Sequence, residues 1–236
     1  MTPPALDPCD ANGCALTLAG ERLLARASGA LWLPAHRTLV VSDLHLGKAE
    51  RNARRGGGFW PPYENEATLT ALEAEIAALA PATLVALGDS FDDGRCAEAL
   101  AEADRARIAA LAAGRRLVWI AGNHDPAPTG LPGEAMQTLA LGALILRHIA
   151  DPGSRGEISG HYHPKVTIHA RARRIRRKCF LADAARVVMP AFGAYTGGLD
   201  AWDAALAGLF AADAEAVLTG ERAMRAPLGK LRALAA

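Results

Sequence analysis

The 236 residues hold few aromatics, 5% in all, only four cysteines, and no excess of either charge. Each shortage excludes something. With 51% hydrophobic residues but so few rings, a core has to be aliphatic, built from Ala, Leu, Val and Ile. At this length such a core is sizeable, which excludes disorder as the main state. Cys9, Cys14, Cys96 and Cys179 show no C-x-x-C spacing, so no thiolate zinc site is expected, and all four are read as free thiols in a reducing compartment. No apolar run approaches the ~20 residues that span a bilayer. The first fifteen residues carry Asp7 and Asp10 and no basic-then-apolar segment, so the expectation is a cytoplasmic protein without membrane contact. Twenty-six Lys and Arg against 25 Asp and Glu leave a net charge of +1, which taken alone argues against a dedicated binder of polyanions. Internal repeats, low-complexity tracts and long linkers are absent, which predicts one domain over 1–236.

What is present begins with short apolar runs between Cys14 and Val41, punctuated by Gly20-Glu21 and Ser28-Gly29. They predict a β-meander over 14–37 leading into a buried strand, Thr38 to Ser42. A polar, Gly-rich passage from Gly47 to Gly58 and Pro61-Pro62 come next. A helix is predicted from Glu64 to Leu79, with Leu69, Leu72, Ile76 and Leu79 at helical spacing. The pattern repeats with a strand Thr83 to Leu87, a helix Cys96 to Leu111 and a strand Leu117 to Ala121, which is the signature of parallel βαβ units. After the Pro- and Gly-rich segment from Pro126 to Gly133 come short strands without helices between them: Ala143 to Arg147, Glu157 to Ser159, Val166 to Ala170, Lys178 to Leu181 and Val187 to Met189. A parallel first half joined to a mixed second half predicts an α/β fold of two sheets packed face to face with helices outside. The core would span 38–190, and the extension 200–236 would hold a helix to about Phe210 and a hairpin near Thr219 to Glu221.

Metal-ligand residue types fall where these strands end: Asp43-Leu44-His45, Gly88-Asp89, Gly122-Asn123-His124-Asp125, His148, and Gly160-His161-Tyr162-His163. Residues two apart on extended chain point to the same side, so Asp43 can pair with His45, and His161 with His163. Ligands in α/β sheets bind at the carboxyl ends of strands, which is where these residues sit. Oxygen and imidazole donors without thiolate favour Mn, Fe, Zn or Mg over a structural zinc. One D-x-H or G-D is an ordinary turn; five such pieces in order, each after an apolar strand, are not a chance arrangement.

Together the pieces D-x-H, G-D-x-x-D (Gly88 to Asp92), G-N-H-D, H and G-H-x-H resemble the full signature of the calcineurin-like metallophosphoesterase superfamily, over residues 38 to 165. The resemblance implies a sandwich of two central mixed sheets flanked by helices, with a dinuclear metal site. It implies that Asp43, His45, Asp89 and His163 hold one metal and Asp89, Asn123, His148 and His161 the second, with Asp89 bridging. In such a site two divalent cations about 3.5–4 Å apart clamp the phosphate oxygens while a hydroxide shared between them attacks phosphorus in line. It also implies that His124 is a catalytic group, which stabilises the transferring phosphoryl or protonates the leaving oxygen, and that Asp125 orients it by a hydrogen bond. Asp92 has two readings, a support for ligand geometry or a helix-start carboxylate. His36 and His169 lie outside the motifs and are read as surface or packing residues.

Substrate class has to come from elsewhere. From Lys165 to Lys178 there are seven basic residues and no acidic one, a local charge of +7; Lys48, Arg51, Arg54 and Arg55 against Glu50 carry +3. These stretches leave the rest of the chain at −9, so the near-neutral total conceals a division of charge. Both adjoin the predicted metal residues, so Arg54, Arg55, Arg171, Arg173, Arg174, Arg176, Arg177 and Lys178 are candidates for a phosphate-backbone groove. Trp60 and Tyr63 are candidates for stacking on unpaired bases or for anchoring the loop. Pro61-Pro62-Tyr63 with Thr68-Leu69, Gly88 to Phe91, the run 176–180, and Met189 to Leu199 (MPAFGAYTGGL) further resemble the bacterial ligase-associated DNA damage response endonuclease family. That resemblance implies a manganese-dependent DNA phosphodiesterase acting in DNA repair, in association with an ATP-dependent DNA ligase, a helicase and an exonuclease; a homodimer is kept as an option. The alternatives are a small-molecule or nucleotide phosphodiesterase or phosphomonoesterase, and a non-catalytic subunit of a repair assembly.

Overall fold

The computed structural model of the chain describes residues 7–10, 13–125, 130–170 and 173–235. A short strand β1 (Asp7–Pro8) precedes an antiparallel meander of β2 (Cys14–Leu18), β3 (Glu21–Ala25), β4 (Leu31–Leu33) and β5 (Thr38–Val41). From β5 onward the connections are helical. Helices α1 (Lys48–Arg54) and α2 (Glu64–Leu79) lead to β6 (Thr83–Leu87), and α3 (Gly94–Glu98) and α4 (Glu102–Ala112) lead to β7 (Arg116–Ile120). Strands β5, β6 and β7 are parallel neighbours, and β8 (Glu134–Met136) adds in parallel to β7. The first sheet is therefore mixed, in the order β2-β3-β4-β5-β6-β7-β8.

The second half contributes β9 (Thr138–Leu141), β10 (Leu144–Arg147), β11 (Glu157–Ser159), β12 (Lys165–Ala170), β13 (Arg173–Ala182) and β14 (Arg186–Val188). Helix α5 (Ala204–Ala207), β15 (Glu215–Leu218), β16 (Met224–Pro227) and α6 (Leu228–Ala235) follow. The second sheet runs β1-β16-β15-β13-β14-β11-β10-β9, with β12 attached to β13, and it is parallel at β10–β11 and β11–β14.

Alternation along the strands explains the layering. Val40, Val85, Leu87, Val118 and Ile120 of the first sheet pack against Leu144, Leu146, Ile158, Phe180 and Val187 of the second. Their odd-numbered or even-numbered neighbours, Leu39, Val41, Leu84, Ala86 and Leu117, face outward onto Leu69, Leu72 and Ile76 of α2 and Ile108 and Leu111 of α4. On the far side of the second sheet, Leu181, Ala216 and Leu218 pack on Leu206 and Leu231. Two apolar layers and helices outside are what the change from βαβ units to short strands predicts. Each fully buried aliphatic side chain contributes about 1.5–3 kcal/mol.

Several expectations need correction. Cys9 and Cys14 are joined in a disulfide, with Cα atoms 4.9 Å apart; the chain turns back at once after Cys9 into β2, which brings two residues of short separation together. Among the described residues Cys96 and Cys179 are free, both buried, so the cysteines do not support the expectation of four free thiols in a reducing compartment. The passage 47–58 contains a helix, α1, whose first amides are capped from α2: Gly47 N donates to Asn65 Oδ1 (2.8 Å) and Ala49 N to Glu64 Oε1 (2.9 Å). Caps supplied from 15 or more residues downstream leave no local signal. The expected helix Cys96 to Leu111 is broken into α3 and α4, because the Arg105 guanidinium donates back to the carbonyls of Ala97 and Glu98 at 2.8 and 2.7 Å. The helix expected to run to Phe210 is the single turn α5, ended by Gly208. The hairpin near Thr219 is formed by β15 and β16.

Candidate metal centre

The expected ligands all lie just beyond the carboxyl ends of parallel strands. Asp43 and His45 follow β5, Asp89 follows β6, Asn123 and His124 follow β7, His148 follows β10, and His161 and His163 follow β11. The chain turns sharply at these ends: Asp43, His45, Asp89, His161 and His163 have φ of 53°, 46°, 46°, 70° and 48°. Such left-handed non-glycine conformations are costly and persist where the surroundings over-determine them. Close approach explains two motif glycines. A Cβ on Gly122 would meet the Asp89 carboxylate and backbone N, and one on Gly160 would meet Ser42 Oγ and Asp43 Oδ2.

Among the described residues, three groups bring ligand atoms to within 4.8 Å of one another: Asp43, His45 and His163; Asp89, His148 and His161; and His45, Asp92 and His124, which shares His45 with the first. In the first, His163 Nε2 is 3.0 Å from Asp43 Oδ1 and 3.4 Å from His45 Nε2. In the second, His148 Nε2 is 3.2 Å from Asp89 Oδ2, 3.3 Å from His161 Nδ1 and 3.0 Å from Asn123 Oδ1. The opposite ring nitrogens decide the tautomers. His45 Nδ1 donates to the Asp92 carboxylate (2.8 Å), His148 Nδ1 to the Leu87 carbonyl (3.1 Å) and His124 Nδ1 to the Asp92 carbonyl (3.0 Å). A neutral ring with its proton on Nδ1 presents a lone pair at Nε2. Inward-facing lone pairs then converge with carboxylate oxygens, an arrangement of acceptors facing acceptors that calls for a cation between them. The oxygen and imidazole donors fit a divalent ion.

The electrostatics agree. Burial works against ionisation of Asp43 and Asp89. The facing imidazoles His163 and His148 overcome it at Asp43, and His148 with the His124 backbone N–H at Asp89, so both acids are lowered, Asp89 to about 2. Burial disfavours protonation of His148, but Asp89 and Asp43 raise its pKa. Burial and the neighbouring His148 lower His161. Ser42, which no motif singled out, is buried and donates to Asp43 Oδ2.

Asp92 turns out to be the support rather than a helix cap. Its buried carboxylate takes His45 Nδ1 and also pairs with Arg51 Nη1 (2.7 Å) and Lys48 Nζ (3.4 Å); Asp93 caps α3 instead. Asp125 is a correction. Its Oδ2 accepts from Phe91 N (2.9 Å), Oδ1 has no partner, and burial with the nearby Asp89 raises its pKa to about 7. The imidazole of His124 is held by the Asp92 carbonyl, so Asp125 braces the 89–91 turn and does not hydrogen-bond His124. His124 Nε2 lies 4.0 Å from Asp89 Oδ2 and its ring is one-third exposed.

The basic candidates divide. Arg54 pairs with Glu50 (3.0 Å) and Asp93 (2.8 Å), and Arg55 reaches Asp93 at 4.0 Å. Arg174, Arg176 and Arg177 on β13 are exposed and without ion pairs among the described residues, while Arg171 lies outside the described residues and Arg173 is placed only by its pairing with Ala170. Lys178 is not a free cation: its Nζ donates to the carbonyls of Ala191 (2.9 Å) and Gly193 (2.7 Å), and Lys165 Nζ donates to Thr196 (3.0 Å). These lysines, opposite each other across β12–β13, pin the 191–198 segment. Gly193 N in turn donates to the Asp43 carbonyl (3.2 Å) and Phe192 N to that of Ser42 (2.7 Å). The family resemblance marks this segment in the sequence, but its place beside Asp43 has no signal there. Trp60 packs edge-on against Tyr195, with centroids 5.9 Å apart. His36 is a packing residue, bonded to Glu21 at 2.6 Å. No helix among the described residues is long and apolar enough to cross a membrane.

Two mixed sheets, helices outside and clustered Asp and His at the strand ends define a metallophosphoesterase. The calcineurin-like phosphoesterase family model matches residues 36–179, and the chain belongs to that family, whose members are dinuclear metal-dependent hydrolases. Among solved structures, the Pseudomonas putida nuclease MPE is 28% identical with a TM-score of 0.69, the match covering 90% of this chain and all of that one. This agrees with the ligase-associated branch that the motifs resemble. The Escherichia coli phosphoesterase Yfce is 17% identical with a TM-score of 0.37, over 69% of this chain and 83% of that one. No curated protein matches the sequence.

Proposed function

We propose that the protein is a two-metal phosphodiesterase that cleaves DNA internally, as an endonuclease of DNA repair. The observation that carries this is the convergence of Asp43, His45 and His163 beside Asp89, His148 and His161 in a chain similar to a nuclease over nearly its whole length. Asp43, His45, Asp89 and His163 would hold one ion and Asp89, Asn123, His148 and His161 the other, with manganese the preferred ion. Such ions, when bound, neutralise phosphate charge and activate water as the nucleophile.

The chain's own groups supply the rest. The Asp92 carboxylate and the Leu87 carbonyl hold His45 and His148 in the ligand tautomer. His124, its Nδ1 bonded to the Asp92 carbonyl, keeps Nε2 at the open edge of the site, where in its protonated form it can stabilise the transferring phosphoryl or give a proton to the leaving oxygen. Arg174 and Arg176, on the hairpin whose base pins the segment beside Asp43, offer charge to the flanking phosphates. A cytoplasmic setting and cooperation with an ATP-dependent DNA ligase, a helicase and an exonuclease belong to the same proposal.

The test is a cleavage panel of single-stranded, duplex, nicked and gapped DNA and RNA with Mn, Mg, Fe and Zn. Internal cuts in DNA that need a divalent ion, lost in Asp89→Ala and His124→Ala, are the expected result. Hydrolysis of small phosphodiesters or nucleotides with no cut in any polynucleotide would overturn it.

A further inference from the structure

Among the described residues, four large apolar side chains are prominently exposed, and three of them fall within five positions: Phe59 (88%), Trp60 (39%) and Tyr63 (64%). Phe59 and Trp60 overhang a groove of about 590 Å³ between α1, α2 and the corner joining α3 to α4. None of the proposed metal ligands, His124 or the β12–β13 hairpin lines it. Its floor is apolar, from Ala49, Ala53, Leu100 and Ala103. Its lining charge is mainly negative, with Glu50, Glu64, Glu66 and Asp104 against one cation, Arg107.

That cation is already used, because Arg107 grips both oxygens of Glu73 at 2.7 and 2.8 Å. Arg54 answers Glu50; Asp104 accepts from Asn65 Nδ2 at 2.8 Å and, with Glu66, feels the charge of Arg107, but among the described residues no cation pairs directly with Glu64, Glu66 or Asp104. Glu64 is 5% exposed, with Oε1 accepting from Ala49 N and Oε2 left without a partner. Buried acceptors ordinarily have partners. A groove of this charge repels a phosphate backbone, so its exposed rings are badly placed to stack on bases. Aromatic rings over carboxylates instead suit a guanidinium or ammonium, held by the ring faces and the acids together.

We propose that this groove is a docking site for a basic, extended segment of a partner polypeptide, with an arginine or lysine side chain seated between the Phe59 and Trp60 rings and the acids Glu66 and Asp104. The site is separate from the reaction centre, so a partner can be tethered while DNA is cut.

The full-length protein, loaded with manganese, would be titrated into a fluorescein-labelled decapeptide of alternating Arg and Ala, with alternating Glu and Ala as control, and anisotropy read. The Arg peptide binds and the Glu peptide does not. Phe59→Ala and Glu66→Gln/Asp104→Asn each weaken the Arg peptide at least about fivefold and leave the rate of DNA cleavage unchanged; Trp60 stays in place because it packs on Tyr195. Glu66→Gln alone, at a solvent-exposed position, carries the test should the paired acid variant unfold. Equal affinity in all variants overturns the proposal. So does slower DNA cleavage in Phe59→Ala with peptide affinity intact, which would make this ring part of a nucleic-acid surface. Concentration-dependent self-association, by sedimentation, that the acid variants abolish would assign the groove to a second copy and overturn it as well.

Discussion

The two basic stretches look alike in sequence and are used in opposite ways by the fold. In 48–55 the charges turn inward. Lys48 and Arg51 close on the buried Asp92, and Arg54 closes on Glu50 and Asp93, so the stretch neutralises acids and stiffens the support of His45. In 165–178 position along the hairpin sorts the charges, since Arg174, Arg176 and Lys178 share one face of β13 and Lys165 pairs with Lys178 at its base. Arg174 and Arg176 stay exposed, Arg176 with one bond to the Gly198 carbonyl (2.9 Å), while the less exposed Lys165 and Lys178 donate to main-chain carbonyls of the 191–198 segment. A count of charges therefore says little about polyanion binding; what matters is how many acids the fold brings to each run, and only the second run escapes them.

The largest effect should come from cutting the inward link. Asp92→Ala removes the acceptor that orients His45 and strands Arg51, and loss of such a supporting group weakens metal affinity or activity by about 10–100-fold. Manganese titration calorimetry with activity on a chromogenic phosphodiester checks this. Unchanged metal affinity would show that the first stretch is not a brace, and the contrast would fail.

The outward half is tested by salt. Arg174→Ala/Arg176→Ala should lower the slope of log K against log salt by about 2, one phosphate contact apiece, while Arg54→Ala/Arg55→Ala leaves it unchanged. DNA binding by a catalytically silent variant such as His124→Ala, measured between low and physiological salt, reads both. Equal slopes for the two pairs would erase the distinction.

This sorting is also where sequence reading ran out. The β-meander, the βαβ units and the ligand list were legible because each strand is a short apolar run ending on Gly, Asp or His, and those signals are local. Asp92 as the partner of His45, the segment 191–198 beside Asp43, and the bond from His124 to a carbonyl and not to Asp125 depend on contacts across 30 to 150 positions. The disulfide of Cys9 and Cys14 went unread because compartment reasoning outweighed their closeness. The helix α1 hid because its caps are Asn65 and Glu64. Charge runs were legible as charge, and nothing in them told which had a carboxylate waiting.

A third test concerns Lys178, whose pKa burial lowers to about 8, with Lys165 adding to the shift. Between about 8 and the usual 10.5, the unfolded chain keeps a proton that the folded chain has released. Stability then rises with pH across that window, and the full cost of the buried ammonium is present below pH 8. Lys178→Met should lose this rise, read as the difference from the unaltered protein in urea unfolding at pH 7.5 and pH 10. A difference that does not change with pH would mean that Lys178 stays charged throughout and holds the 191–198 segment by its carbonyl bonds at every pH.

The smallest effect belongs to the outer pair of the first stretch. Burial opposes ionisation of Asp93, and the hydrogen bonds from Arg54 and Cys96 more than offset it, holding the acid at about 2 against an ordinary 3.8. A depressed acid contributes stability above its unfolded pKa and loses it as pH falls toward the folded value. Both side chains are partly in water, so Arg54→Ala should cost only a small part of the stability at pH 6. The cost should hold down to pH 4, shrink between about 4 and 2, and fall further in high salt, as a screened pair does. Urea unfolding of the two proteins at pH 6, 4 and 2.5 follows it. A cost that persists at pH 2.5 would mean that Arg54 acts by packing its stem over Cys96 and not by answering Asp93, and the first stretch would then be a brace only at Lys48 and Arg51.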